Sequence, residues 1–225
     1  MSDSKPNTAE KMDDFFNQRA DSYDQHMRDS LASFDPFYQA VCQHISSTNE
    51  KIQILDIGIG TGNELAYIFA KAPKAVITGM DVSAEMLRQL REKYQAFLDQ
   101  IDLKKGSYLT LPFGPEQFHY AVSVMTVHHL MPEVKRELYS KICQALAVGG
   151  IYLEGDYYVS REKSREMMAA YQEKMAHNES PDPGQFHIDI PLSVQSQEKL
   201  LLEAGFSRVE LVWLESEAGV MAAWK

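Results

Sequence analysis

The spacing of hydrophobic and polar positions divides the chain into segments of helical and of strand period. Met12, Phe15, Phe16, Ala20, Tyr23 and Met27 recur at three- and four-residue steps, which predicts an amphipathic helix opened by Asn7 as cap with Glu10 three places on. Pro36 suits the first turn of a second, short helix carrying Phe37, Val41 and Ile45 on one face. After a polar loop, the run Ile52-Gln53-Ile54-Leu55-Asp56-Ile57 is too apolar for a strand with one wet face and predicts a central strand covered on both sides. Helix and strand then alternate: helix Asn63 to Lys71, strand Ala75 to Met80, a helix capped by Ser83 and running through Leu98, strand Ile101 to Lys105, a Gly/Pro-punctuated loop, strand Tyr120 to Met125, a helix opened by Pro132 and closed by Gly149-Gly150, and strand Ile151 to Tyr157. Such alternation implies βαβ units, hence a parallel sheet with right-handed crossovers.

The last third departs from this rhythm. Arg161 to His177 predicts a helix with Met168, Tyr171 and Met175 as its apolar stripe, and Asn178 to Pro191 is irregular. Ser193 then caps a helix ending at Gly205, and the runs Phe206 to Leu214 and Val220 to Trp224, with Gly219 between them, predict a hairpin. The fold class is therefore α/β, with a mostly parallel sheet of seven strands whose last strand is antiparallel, and helices on both faces.

Composition narrows the function. The 225 residues, 44% of them apolar, suffice for one well-filled domain. A net charge of −10, with never more than two Lys or Arg adjacent, argues against nucleic acid as a partner. Cys42 and Cys143 fall in predicted helices, so no disulfide framework is expected, and a reducing, cytoplasmic setting fits. No apolar run approaches the roughly 18 residues of a membrane span, so no membrane association is expected.

The most informative segment is Asp56-Ile57-Gly58-Ile59-Gly60-Thr61-Gly62 between the first strand and its helix. Glycine there admits positive φ and lets a ligand lie against bare backbone, while the helix start offers free N–H donors. Dinucleotides and S-adenosylmethionine both use this geometry. The dinucleotide spacing would put its third glycine at position 63, which is Asn63. A buried carboxylate at Asp56 costs several kcal/mol unless paired, so it takes hydrogen bonds from its loop or from a cationic ligand group. An α-ammonium fits; a pyrophosphate is repelled. Asp81, about 20 residues past the loop at the end of the next strand, is placed to accept from two ribose hydroxyls.

These residues resemble the class I S-adenosylmethionine-dependent methyltransferases. The resemblance rests on the D-x-G-x-G-x-G loop (Asp56 to Gly62), G-x-D-x-S-x-x-M-L (Gly79 to Leu87), G-x-x-x-x-L-P-F (Gly106 to Phe113), the strand leading to His128-His129-Leu130, L-x-x-G-G (Leu146 to Gly150) and A-G-F (Ala204 to Phe206). It implies a Rossmann-like methyltransferase fold over residues 51–225, a helical lid over 1–50, and an inserted acceptor or cap segment at about 158–192. By the same resemblance Asp56, Gly58, Gly60 and Gly62 hold the amino-acid part of the donor, Asp81 its ribose, Val82 and Met86 its adenine, and Ser107 and Tyr108 the adenine edge. Many relatives have Asp where this chain has Ser107. Val124 would face the ribose and amino-acid end, with Tyr23 and Tyr38, alongside Phe16 and Arg19, reaching the pocket from the lid.

Methyl transfer from a sulfonium is an in-line displacement, so the protein chiefly supplies position, worth on the order of 7 to 11 kcal/mol. Where the acceptor must lose a proton, His128 is the preferred base, with His129, Asp156 and His187 as alternatives. No metal is suggested, because His128 and His129 are adjacent and neither cysteine has a partner at ligand spacing. The expected reaction is methylation of a small-molecule acceptor with release of S-adenosylhomocysteine, and a homodimer is left open. The competing readings are an NAD-dependent oxidoreductase, a catalytically silent donor-binding module, and a tRNA wobble-uridine modifying relative that uses a carboxylated donor.

Overall fold

The computed structural model describes residues 10–31, 33–175 and 186–225. Asn7, the end of the helix expected to reach His177, and most of the irregular segment after it lie outside the described residues. One seven-stranded sheet runs in the order β3-β2-β1-β4-β5-β7-β6, with β1 (Gln53–Ile57), β2 (Val76–Asp81), β3 (Ile101–Lys105), β4 (Phe118–Val124), β5 (Leu146–Tyr157), β6 (Arg208–Glu215) and β7 (Ala218–Trp224). Only β7 is antiparallel, paired with both β5 and β6. The helices are α1 (Met12–Ser30), α2 (Phe34–Val41), α3 (Leu65–Lys71), α4 (Ala84–Lys93), α5 (Pro132–Ala145), α6 (Arg161–Met175) and α7 (Val194–Glu203). No helix among the described residues is long and apolar enough to cross a membrane.

Strand alternation explains why β1 carries no wet face. Ile54 belongs to an apolar cluster on one side of the sheet, with Phe37, Ile77 and Val122. Leu55 and Ile57 belong to a second cluster on the other, with Ala121, Tyr139 and Tyr152. β1 lies between β2 and β4, parallel to both, so the order in which strands are added reverses beside it. The carboxyl ends of β1 and β4 therefore diverge into a crevice, where open α/β sheets place their ligands.

Several boundaries differ from the spacing-based expectation. The helix expected through Leu98 ends at Lys93 and continues as a 3₁₀ turn, Gln95–Gln100, because the Tyr94 hydroxyl donates to the Gly62 carbonyl at 2.7 Å and anchors the chain there. The helix expected to close at Gly149-Gly150 stops at Ala145, since Leu146 is already extended and pairs with Phe118 of β4. The helix expected from Asn63 begins at Leu65. Gly219 is not in the hairpin turn, which is Ser216-Glu217; it lies inside β7, where an added Cβ would stand 2.7 Å from Tyr158. That glycine serves close packing rather than a turn.

Candidate active site

The glycine loop is clamped to the end of β2: the N–H groups of Gly58 and Ile59 donate to the Met80 carbonyl at 2.9 and 3.0 Å. Gly58, Gly60 and Gly62 all have positive φ, 69°, 52° and 70°. Two of them have distinct reasons to be glycine. A Cβ on Gly58 would sit 2.2 Å from Thr126 Oγ1, whereas one on Gly60 would meet nothing closer than 3.9 Å; Gly58 is packed shut, and Gly60 presents open backbone to the crevice.

Asp81 ties loop and strand together. Its Oδ2 accepts from Gly60 N–H at 2.9 Å and its Oδ1 from Ser83 N–H at 2.8 Å. Burial raises its pKa to about 6, partly offset by these backbone donors. Each oxygen retains a second lone pair for a ligand hydroxyl.

Beneath the loop lies a pair of acids. Asp56 and Glu64 are 1% and 4% exposed, and Asp56 Oδ2, Glu64 Oε1 and Asn63 Nδ2 have no hydrogen-bond partner in the protein. Burial raises both carboxyls, Glu64 to about 7 and Asp56 well above its usual range, the latter also through Glu64 beside it. Orphaned, desolvated acids are a fit for a cationic group. Glu64 is absent from the sequence-based set, although its place at the helix start could have marked it as a second carboxyl near Asp56.

Helix α1 lies across the crevice. Asn17 Oδ1 accepts from Ser83 Oγ at 2.8 Å and Glu85 N–H at 3.2 Å, and Lys93 bridges Asp24 at 2.7 Å and Asn63 at 2.6 Å. Its other flank is tied to the segment before α7: Phe15 stacks on His187 with centroids 3.5 Å apart, and His187 N–H donates to the Glu10 carbonyl at 2.9 Å. Under α1 is a cavity lined by Tyr23, Gly58, Gly60, Asp81, Val82, Met86, Ser107 and Tyr108, all singled out in the sequence, and by Met12, Phe16, Leu109, Met125 and Thr126, of which only Phe16 was. Asp56 and Gly62 lie behind this wall. Tyr38 does not line it; 2% exposed, it stacks on Tyr67 at 5.6 Å in the core. Val124 is replaced at the wall by its neighbour Met125.

A second, more open cavity shares Phe16, Tyr23 and Met125 with the first and is otherwise lined chiefly by Arg19, His26, His128, His129, Tyr157, His187 and Asp189. His128 and His129 sit in a 3₁₀ turn after β4. His128 Nδ1 bonds Asp156 Oδ1 at the end of β5, and Asp156 Oδ2 accepts the backbone N–H of Val127 and His128 at 3.0 and 3.1 Å. Burial alone would raise Asp156, but His128 and Lys135 hold it net below its usual range. Burial, then His128, lowers His129 to about 4. Asp189, 60 residues further along, approaches both imidazoles, a convergence that no local spacing announces. Met168 of α6 lines a separate groove with Pro132, Leu192 and Leu200, so this stripe does not wall the histidine cavity.

The methyltransferase-domain family model matches residues 54–150, the stretch from β1 to β5. A carboxy-S-adenosyl-L-methionine synthase of Campylobacter hominis is 25% identical over 211 residues, covering 88% of this chain and 89% of its own length. The erythromycin 3''-O-methyltransferase of Saccharopolyspora erythraea is 26% identical over 179 residues, covering 78% of this chain and 56% of that protein. Among solved structures, a complex titled DhpI-SAM-HEP superposes with a TM-score of 0.68 at 15% identity, covering 94% of both chains. The phosphoethanolamine N-methyltransferase 2 of Haemonchus contortus superposes at 0.63 and 19% identity, over 87% of this chain and 43% of that one. Residues 54–150 are thus similar to methyltransferase domains, and the solved neighbours share the fold of the chain as a whole.

Proposed function

We propose that this chain is a class I S-adenosylmethionine-dependent methyltransferase that methylates a small-molecule acceptor seated in the histidine-lined cavity. The observation that carries the reading is the pair of cavities that meet at Phe16, Tyr23 and Met125: one suits the donor, the other opens where the donor's methyl group would point. In this reading Asp56 and Glu64 receive the α-ammonium, the backbone of Gly58, Gly60 and Gly62 the amino-acid part, Asp81 the ribose hydroxyls, and Val82 and Met86 the adenine face, with Ser107 and Tyr108 at its edge. Residues 10–50 act as the lid, and the part of 158–192 within the described residues supplies His187 and Asp189 to the acceptor side.

The acceptor's lone pair attacks the methyl carbon in line with the C–S bond, and the bonding pair returns to sulfur, giving S-adenosylhomocysteine. His128 takes the acceptor's proton at Nε2, because Nδ1 is engaged by Asp156. The net charge of −10 supports a small acceptor over nucleic acid, and two cysteines without a disulfide between them suit a cytoplasmic setting. The test is homocysteine release over a panel of hydroxyl, amine and carbon-acid acceptors. One or more should turn over with wild type and slow at least a hundredfold with His128→Ala; tight donor binding with no turnover anywhere would favour a silent module.

A second reading has its own support: the C. hominis relative is named a carboxy-S-adenosyl-L-methionine synthase and aligns over nearly its whole length. Mass spectrometry of the nucleoside products separates the two. A donor made heavier by one carboxyl group supports the carboxylated-donor reading, and S-adenosylhomocysteine with a methylated acceptor supports ours.

A further inference from the structure

We propose that His128, His129 and Asp189 form a binding site for a divalent transition-metal ion of the Zn²⁺ or Fe²⁺ kind in the wall of the acceptor cavity. The three ligand-capable atoms lie within 4.8 Å of one another. His128 Nε2 is 3.6 Å from Asp189 Oδ1, and His129 Nδ1 is 3.2 Å from the same oxygen. The first is beyond hydrogen-bond range and the second stands at its long limit. They bracket instead the edge, about 3.4 Å, of a tetrahedron whose corners stand about 2.1 Å from its centre, the usual zinc-to-nitrogen or zinc-to-oxygen distance.

A second observation concerns the far side of His128. Its Nδ1 is held by Asp156, itself fixed by two backbone N–H groups. A carboxylate behind an imidazole is the arrangement that sets the tautomer of a metal-binding histidine and raises its basicity, and here it leaves the Nε2 lone pair facing Asp189. The Ile188 carbonyl lies 3.4 Å from His129 Nδ1, at the long limit of a hydrogen bond, so it makes no strong claim on that nitrogen. Ile190 N–H donates to the His128 carbonyl at 2.6 Å, which straps the Asp189 segment onto the turn carrying both histidines.

Asp189 is 49% exposed, and the site opens on the cavity, so three protein ligands leave a further position free, as in catalytic rather than structural sites. Two imidazoles and one carboxylate favour a first-row transition ion over Mg²⁺ or Ca²⁺. An ion and a proton are alternative occupants of His128 Nε2. The loaded protein would therefore bind an acceptor oxygen on the ion, which goes beyond the proton-transfer role above.

The test uses the full chain without added histidines, stripped with chelator and titrated with Co²⁺. One equivalent is expected to bind with visible ligand-field bands and to be displaced by Zn²⁺. Asp189→Asn and His129→Gln should each weaken binding by at least about tenfold, while Asp102→Asn, an exposed acid on β3, leaves it unchanged. Absence of Co²⁺ binding at excess metal, or binding that both cavity variants leave untouched, overturns the proposal. Donor binding and homocysteine release are followed in the same samples. Methyl transfer without a metal site overturns this inference alone; a metal site in a protein that methylates nothing supports it and removes the methyl-transfer reading.

Discussion

Replacing Glu64 by Gln should stabilise the ligand-free protein at alkaline pH, although it deletes a charge beside Lys93. Glu64 is 4% exposed, and burial lifts its pKa from 4.5 to about 7. A carboxyl raised on folding contributes stability that is present at low pH and lost as pH climbs through the folded value. Taken alone, Glu64 costs the fold about 1 kcal/mol at pH 5 and about 3 kcal/mol at pH 8, from the ratio of the unfolded to the folded binding polynomial. Glutamine keeps the shape and carries no titrating charge, so the stability difference between variant and wild type should shift by about 2.5 kcal/mol in the variant's favour from pH 5 to pH 8. Urea denaturation at the two pH values, read by fluorescence and far-UV circular dichroism, measures it. In saturating S-adenosylhomocysteine the advantage should shrink or reverse, because the ammonium then compensates the wild-type charge. A difference independent of pH, or one that moves toward wild type at pH 8, would refute the argument that Glu64 is a desolvated acid.

Asp81→Ala removes the acceptor for Gly60 and Ser83 N–H as well as the ribose contact, and calorimetry should show donor affinity falling by about ten- to a hundredfold. Gly58→Ala puts a Cβ 2.2 Å from Thr126 Oγ1 at a φ of 69°; a thermal melt should register a loss of about 1–3 kcal/mol, with weakened donor binding. Asp156→Asn leaves one acceptor oxygen to serve either the His128 ring or the two backbone N–H donors, and kcat should fall by about a hundredfold while donor affinity changes little. His129, lowered from 6.5 to about 4 by burial, contributes stability that is present above pH 6.5 and lost on acidification through 4. His129→Phe should abolish an acid-limb loss of about 3 kcal/mol in pH-dependent denaturation.

Much of the sheet was legible because central strands and amphipathic helices leave different periods in the sequence. The run from Ile52 to Ile57 could only be a strand covered twice, and the two apolar clusters on either side of β1 confirm it. What escaped was set by single tertiary contacts. Tyr94 ends α4 through a bond to Gly62, and Gly219 is glycine because Tyr158 crosses it; neither is visible to a period or propensity rule. The candidate site divides in the same way. The glycine loop and the segments after β2 and β3 were legible as short local motifs, and together with Tyr23 of α1 they supply eight residues that line one cavity. Asp189 reaches His128 and His129 only because Ile190 hydrogen-bonds back across 62 positions, and Tyr38, expected to reach the pocket from the lid, is buried instead and stacked on Tyr67.

The formal charge of −10 also misdescribes the site it surrounds. That sum counts every Asp and Glu as ionised, yet burial raises Asp56, Glu64 and Asp81, the last two to about 7 and 6. Near neutral pH a part of this charge is therefore absent until a cation arrives to make ionisation favourable. On the other side of Phe16 and Tyr23, burial lowers His129 and His187, so they offer lone pairs and not positive charge. On that flank the negative charge sits on Asp156 and Asp189, both held below the usual carboxylate range, while on the donor flank part of the charge develops only with the donor. It follows by linkage that binding a donor ammonium against Asp56 and Glu64 releases protons at pH values below about 7, so donor affinity must rise with pH through that range. Calorimetry in buffers of differing ionisation enthalpy counts those protons directly. A donor affinity and a proton count that are both flat from pH 5.5 to 8 would place the ammonium elsewhere.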